Sequence, residues 1–195
     1  MGSNLKVILA GVIVLFFIAC KEKKKPDTRE KFFPALSYIK SQVAKVDTSL
    51  YSIMRITFID TITIDTQYLK REDFKEAAKD FLSLPDIHDP KYRDSYTEDN
   101  QFDETTGRVQ IDYTPVEANK EEIQHQTVLI KPDSPEDRVT TIIINTNISN
   151  KDSSIEKKML WKVDESFQVT TIKQYPGKPE ITSTYKVTWN ESDPE

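Results

Sequence analysis

The apolar positions along the chain change period several times, and each change marks an element. Phe32, Leu36, Ile39, Val43 and Val46 recur at steps of four, three, four and three, the spacing of one helix face. This predicts a first helix near residues 29 to 46, with Thr28 as N-cap and Pro34 in the first turns, where a proline does least harm. Alternation follows. Leu50, Met54, Ile56, Phe58, Ile62 and Ile64 all fall on even positions, which reads as one long strand or a tight hairpin with those side chains forming its apolar face. A second helix is expected from about Leu69 to Leu84, with Phe74, Ala77, Ala78 and Phe81 as its stripe and Pro85 as its stop.

Residues 85 to 107 are polar, acidic and without period, so they read as a long loop. Beyond them the pattern is strand after strand. Val109, Ile111 and Tyr113 alternate with charged and polar neighbours, as do Ile155, Met159, Trp161 and Val163, and then Ile181, Tyr185, Val187 and Trp189. Asp164-Glu165 leaves room only for a tight turn, and Tyr175-Pro176-Gly177-Lys178-Pro179 is rich in turn formers. Ile123 to Ile130 and Val139 to Thr146 alternate less cleanly and are expected to lie centrally, covered on both faces. The predicted fold is α+β: an antiparallel meander sheet of about six or seven strands with two helices packed on one face. A half-open β-barrel around the first helix shares the same alternation and is the alternative.

The first twenty residues differ in kind from the rest. Val7 to Ala19 is uninterrupted apolar or small sequence preceded by a single lysine, Lys6, the layout of a secretory signal. From Val7 to Cys20 there are 14 residues, against roughly 20 needed for a helical membrane span. The run closes on Phe17-Ile18-Ala19-Cys20, which resembles the lipobox of bacterial lipoproteins. That resemblance implies cleavage between Ala19 and Cys20 and acylation of the Cys20 thiol. Cys20 is the only cysteine in the chain, so no intramolecular disulfide competes for it. Lys21 to Asp27 carries no group that could join a core and reads as a tether of about 20 to 25 Å when extended. The expected organisation is a signal peptide at 1–19, a lipidated cysteine and charged tether at 20–28, and one globular domain at 29–195.

The chain has 27 basic and 32 acidic residues, a formal net charge of −5. That balance argues against nucleic-acid binding, which needs a basic face. Only two histidines are present, His88 and His125, and neither has the spacing of a helical metal-binding pair. Asp86, His88, Asp89 and Asp94 could converge on a metal only through unusual loop geometry. Asp94 to Glu104 is acidic but lacks the glycine and ligand spacing of an EF-hand. No serine sits in a glycine-flanked elbow, and four glycines in all leave little for a phosphate loop. No catalytic residue, metal ligand or cofactor is assigned.

In layout the chain resembles the small lipoproteins of Bacteroidota: lipobox, charged tether, helix-and-sheet domain. The tether lacks an acidic stretch after Cys20, so attachment to the outer membrane facing the periplasm is expected. Asp60-Thr61-Ile62 is similar to the short O-glycosylation acceptor of the same group. The resemblance implies no activity. The expectation is a lipid-anchored cell-envelope protein with a non-enzymatic binding or structural role, partnered by the membrane and by an envelope protein. The alternative is a periplasmic carrier holding an apolar ligand or lipid between helix one and a curved sheet, with Trp161, Phe167, Tyr185 and Trp189 lining the cavity.

Overall fold

The computed structural model of the chain describes residues 32–59, 63–132 and 138–190. The signal segment, Ala19 and Cys20, the tether, Thr28, and Asp60-Thr61-Ile62 lie outside the described residues.

Helix α1 spans Ala35–Asp47 and begins later than its period suggested. Pro34 is its N-cap, and proline holds the preceding residue away from helical backbone. Phe32 therefore stands before the helix, yet it is buried edge-on against the rings of Tyr113 and Tyr96. Leu36, Ile39, Val43 and Val46 form the buried stripe as spaced. The hydroxyls of Thr48 and Ser49 donate to the carbonyls of Lys45 and Val46, satisfying acceptors that the helix end leaves open.

The expected second helix is broken into a 3-10 turn at Arg71–Asp73, α2 at Phe74–Ala77 and α3 at Lys79–Leu82. Ala78 leaves helical backbone at ψ 4°. Phe74, Ala77, Ala78 and Phe81, spaced as one helix face, are all buried across the break.

One open, wholly antiparallel sheet of nine strands carries the rest. The strands are β1 Ile53–Phe58, β2 Ile64–Leu69, β3 Tyr96–Asp103, β4 Arg108–Pro115, β5 Ile123–Lys131, β6 Arg138–Ser149, β7 Ser154–Lys162, β8 Ser166–Gln174 and β9 Ile181–Thr188. Their spatial order is β2-β1-β9-β8-β7-β6-β5-β4-β3. Strands three to nine form a meander, and the β1–β2 ribbon joins its far end through β9. The edges β2 and β3 do not meet, so the sheet is open. The expected α+β class and antiparallel sheet hold; the count of six or seven strands does not. The main omission is β3, which lies in the stretch read as a loop. Its sequence Tyr-Thr-Glu-Asp-Asn-Gln-Phe-Asp is exposed from Thr97 onward, so neither face needed apolar residues and no alternation could mark it.

A second correction concerns β1. Arg55 stands opposite Val187, and Val187 is fully buried. Opposed residues of an antiparallel pair share a face, so the odd positions of β1 look toward the core. Ile53 is buried, whereas Leu50, Phe58 and Ile64, three of the expected apolar face, are exposed. β5 and β6 are central as expected, but helices cover only one of their faces. Val128, Ile142 and Ile144 are buried, while Ile143, on the other face, is half-exposed. Among the described residues no helix is long and apolar enough to cross a membrane.

Candidate functional site

The aromatic residues singled out from the sequence do converge, and they converge on one another. Trp161 of β7 stacks on Phe167 of β8 at 5.2 Å between ring centres. Phe81 of α3 meets both rings edge-on at 5.1 and 5.5 Å. Phe74 of α2 does the same to Trp189, just beyond β9, at 5.1 Å. Trp161, Phe167, Phe74, Phe81 and Trp189 are all buried. These offset and edge-to-face contacts close the space between the helices and the sheet. The stripe at the centre of the carrier reading is packing.

Tyr185 differs. It sits at the margin of this cluster, and its hydroxyl donates to the Ala77 carbonyl and to Asp80 Oδ2, both at 3.1 Å. Asp80 Oδ1 in turn accepts from Lys157 Nζ at 2.7 Å, and the Arg55 guanidinium lies 4.3 Å from the centre of the Tyr185 ring. Burial, reinforced by the neighbouring Asp80 carboxylate, pushes the Tyr185 phenol well above its usual range. It is held as a proton donor, not as a base. These groups border an open cleft of about 390 Å³ between β1 and the helical segment Asp73–Asp80. Its charges are mixed: Arg55 and Lys79 face Asp73, Glu76 and Asp80.

A second cleft, of about 230 Å³, lies beside the end of α1. There Asp164 occupies left-handed backbone at φ 59°. Its carboxylate takes Lys45 Nζ at 2.7 Å and Arg138 at 3.7 Å, and its backbone N–H donates to Gln42 Oε1. Asp164 thus performs the tight β7–β8 turn expected of Asp164-Glu165 and ties that turn to α1.

The two histidines are apart. His88 is half-buried with Nδ1 at 2.6 Å from the Phe32 carbonyl. Asp86 accepts from the His88 N–H and Asp89 from the Lys91 N–H, so these acids cap turns. His125 lies on the sheet face away from the helices, where its Nε2 is 3.0 Å from Asp112 Oδ1. Thr127 donates to the same oxygen at 2.6 Å. A hydroxyl, an imidazole and a carboxylate are together here, since Thr127 Oγ1 also lies 2.9 Å from His125 Nε2, and both groups converge on one carboxylate oxygen. The cluster borders neither of the clefts just described. Among the described residues no group of three or more His, Cys, Asp or Glu side chains is placed to hold a metal ion.

The feature left over is apolar. Six of the ten large exposed apolar side chains among the described residues, Leu50, Tyr51, Phe58, Ile59, Ile64 and Tyr68, fall within one short stretch of chain. Pairing of Phe58 with Ile64, Ile56 with Thr66 and Met54 with Tyr68 sets Phe58, Ile64 and Tyr68 beside Met54 and Ile56 on the outward face of the β1–β2 ribbon. The inward face of the same ribbon carries Ile53 and Leu69 at its core end and then Arg55, Thr57, Asp65 and Gln67. Beyond the Ile53–Leu69 pair the ribbon is therefore inverted relative to the rest of the sheet. The even-position apolar run was the signal for it; the sense of the face could be known only from the β1–β9 register.

No protein-family model, no curated protein and no solved structure matches the chain.

Proposed function

We propose that the chain is a cell-envelope lipoprotein, attached through acylated Cys20 to the outer membrane and facing the periplasm, whose domain has a non-enzymatic binding role. The observation that carries the binding role is the inverted part of the β1–β2 ribbon, which spends apolar residues on solvent while Arg55 on its other side borders a cleft. Clustered exposed apolar side chains are characteristic of docking surfaces. Met54, Ile56, Phe58, Ile64 and Tyr68 form the patch that a protein partner would cover. The lipid anchor rests on the lipobox-like Phe17-Ile18-Ala19-Cys20, the lone cysteine and the charged segment after it.

The carrier reading draws no support from the ring packing, because the side chains assigned to its cavity fill one another's space.

Two variants test the proposal. Cys20→Ser abolishes incorporation of labelled fatty acid and leaves unprocessed precursor; unchanged processing refutes the anchor. Phe58→Ser combined with Ile64→Ser leaves the melting temperature unchanged and shifts the protein from a larger assembly to its own size on native gels of detergent-solubilised membranes. An unaltered assembly refutes the docking surface.

A further inference from the structure

The two edges of the sheet are not equivalent. An edge strand offers a row of backbone N–H and C=O groups that can pair with another strand, and proteins commonly guard such rows with charge or proline. β3 is guarded by Glu98, Asp99 and Asp103. β2, Ile-Asp-Thr-Gln-Tyr-Leu, has one charge and no lysine or proline, and its residues Ile64 to Tyr68 are exposed. It is also the strand that carries the apolar outward face.

We propose that β2 pairs with β2 of a second copy of this chain, antiparallel, about a two-fold axis through Thr66. The register follows from the sequence. In a continuous sheet, opposed residues must lie on the same face, so even positions must meet even ones. Centring on Thr66 places Ile64 opposite Tyr68 of the partner subunit, Asp65 opposite Gln67 of the partner subunit, and the two Thr66 residues opposite each other. The first is an aliphatic-aromatic pair on the apolar face, the second joins a carboxylate to an amide donor, and the third joins two hydroxyls. No like charges are opposed. Gln67 already donates to Asp65 within one chain at 2.9 Å, so the inward pair needs only an exchange of partners. Centring on Gln67 instead sets Asp65 against Leu69 and gives up this complementarity. Pairing β2 with the other edge, β3, would be head-to-tail and open-ended, whereas β2 with β2 closes as a dimer. The inference goes beyond the reading of the outward face as a docking surface: β2–β2 pairing joins the two sheets edge to edge and leaves that face open to a further partner.

The test uses the full chain in its own membrane. Thr66→Cys brings two thiols within disulfide reach at directly opposed positions, and mild oxidation yields a covalent dimer absent from the parent protein, whose only thiol is Cys20. Ile64→Cys and Tyr68→Cys each give no covalent dimer alone and form a mixed covalent dimer when co-expressed. Failure of Thr66→Cys to cross-link, or cross-linking of Ile64→Cys with itself as readily, overturns the proposal. In sedimentation of the detergent-solubilised full chain, Thr66→Lys sets two ammonium groups face to face and abolishes the dimer seen for the parent; a monomeric parent overturns the proposal too. Adducts formed from Tyr68 with a different polypeptide, in a chain that stays monomeric, refute self-pairing and leave the docking surface standing.

Discussion

Arg55 lies over the ring of Tyr185, with the guanidinium carbon 4.3 Å from the ring centre, on the side of β1 that pairing with β9 turns inward. Arginine on an aromatic face is favourable by about 0.5 to 1 kcal/mol where exposed and more where desolvated. Beside it, Tyr185 and Lys157 both bond to Asp80. With Arg55 inward, Met54, Ile56 and Phe58 must point out.

The inversion predicts opposite outcomes at neighbouring positions. Ile53→Ala removes a buried side chain and is expected to cost about 2 to 5 kcal/mol. Phe58→Ser is expected to change stability by no more than about 0.5 kcal/mol, as for other exposed sites. Urea unfolding of the two variants checks both; a larger loss in Phe58→Ser than in Ile53→Ala would mean that β1 is turned the other way.

Phe81→Ala should be among the most damaging single changes. The ring contacts both Trp161 and Phe167, and its loss is expected to cost about 3 to 5 kcal/mol through burial and the cavity left behind. Near-ultraviolet circular dichroism, which reports the ordered tryptophans, should weaken in the same variant.

Asp164 allows backbone strain and ion pairing to be separated. Asp164→Gly loses the Lys45 and Arg138 contacts but keeps left-handed backbone available. Asp164→Ala loses both and should be less stable than the glycine variant by about 1 to 2 kcal/mol. Thermal melts of the pair measure the difference; equal melting temperatures would show that the turn carries no strain.

Alkaline pH should weaken the fold. Burial raises the phenols of Tyr96, Tyr113 and Tyr185 above their ordinary value of 10.0. Below that value both folded and unfolded chains keep the proton and nothing is lost. Above it the unfolded phenols ionise first, so stability falls with rising pH until the folded phenols titrate as well. Urea midpoints taken between pH 8 and 11 should be flat and then decline from about pH 10. In Tyr185→Phe the decline should be shallower.

The fold was legible where one face is buried and the other wet. The stripe of α1, the alternation of β4, β7 and β9, and the turn at Asp164-Glu165 all rest on such asymmetry. β3 escaped because an edge strand exposed on both faces needs no pattern, and the break of the second helix at Ala78 escaped because the stripe keeps helical spacing across it. Phe32 satisfied helical spacing while standing outside the helix, since Pro34 fixes where α1 begins. The outward face of β1 was readable as an apolar face but not as an outward one, since pairing with β9 decides its sense. Asp80, Lys157 and Tyr185 lie far apart in the chain and meet only through the tertiary fold, so no local spacing announced them.

The central claim, that the β1–β2 ribbon docks a partner, is tested most directly by a photo-reactive side chain at Tyr68 in the native membrane, with Phe102 on the opposite edge strand as the control. Irradiation should give a discrete adduct from position 68 and none from 102, and Phe58→Ser with Ile64→Ser should remove it. Equal labelling from both positions, or no adduct from position 68, would contradict the account.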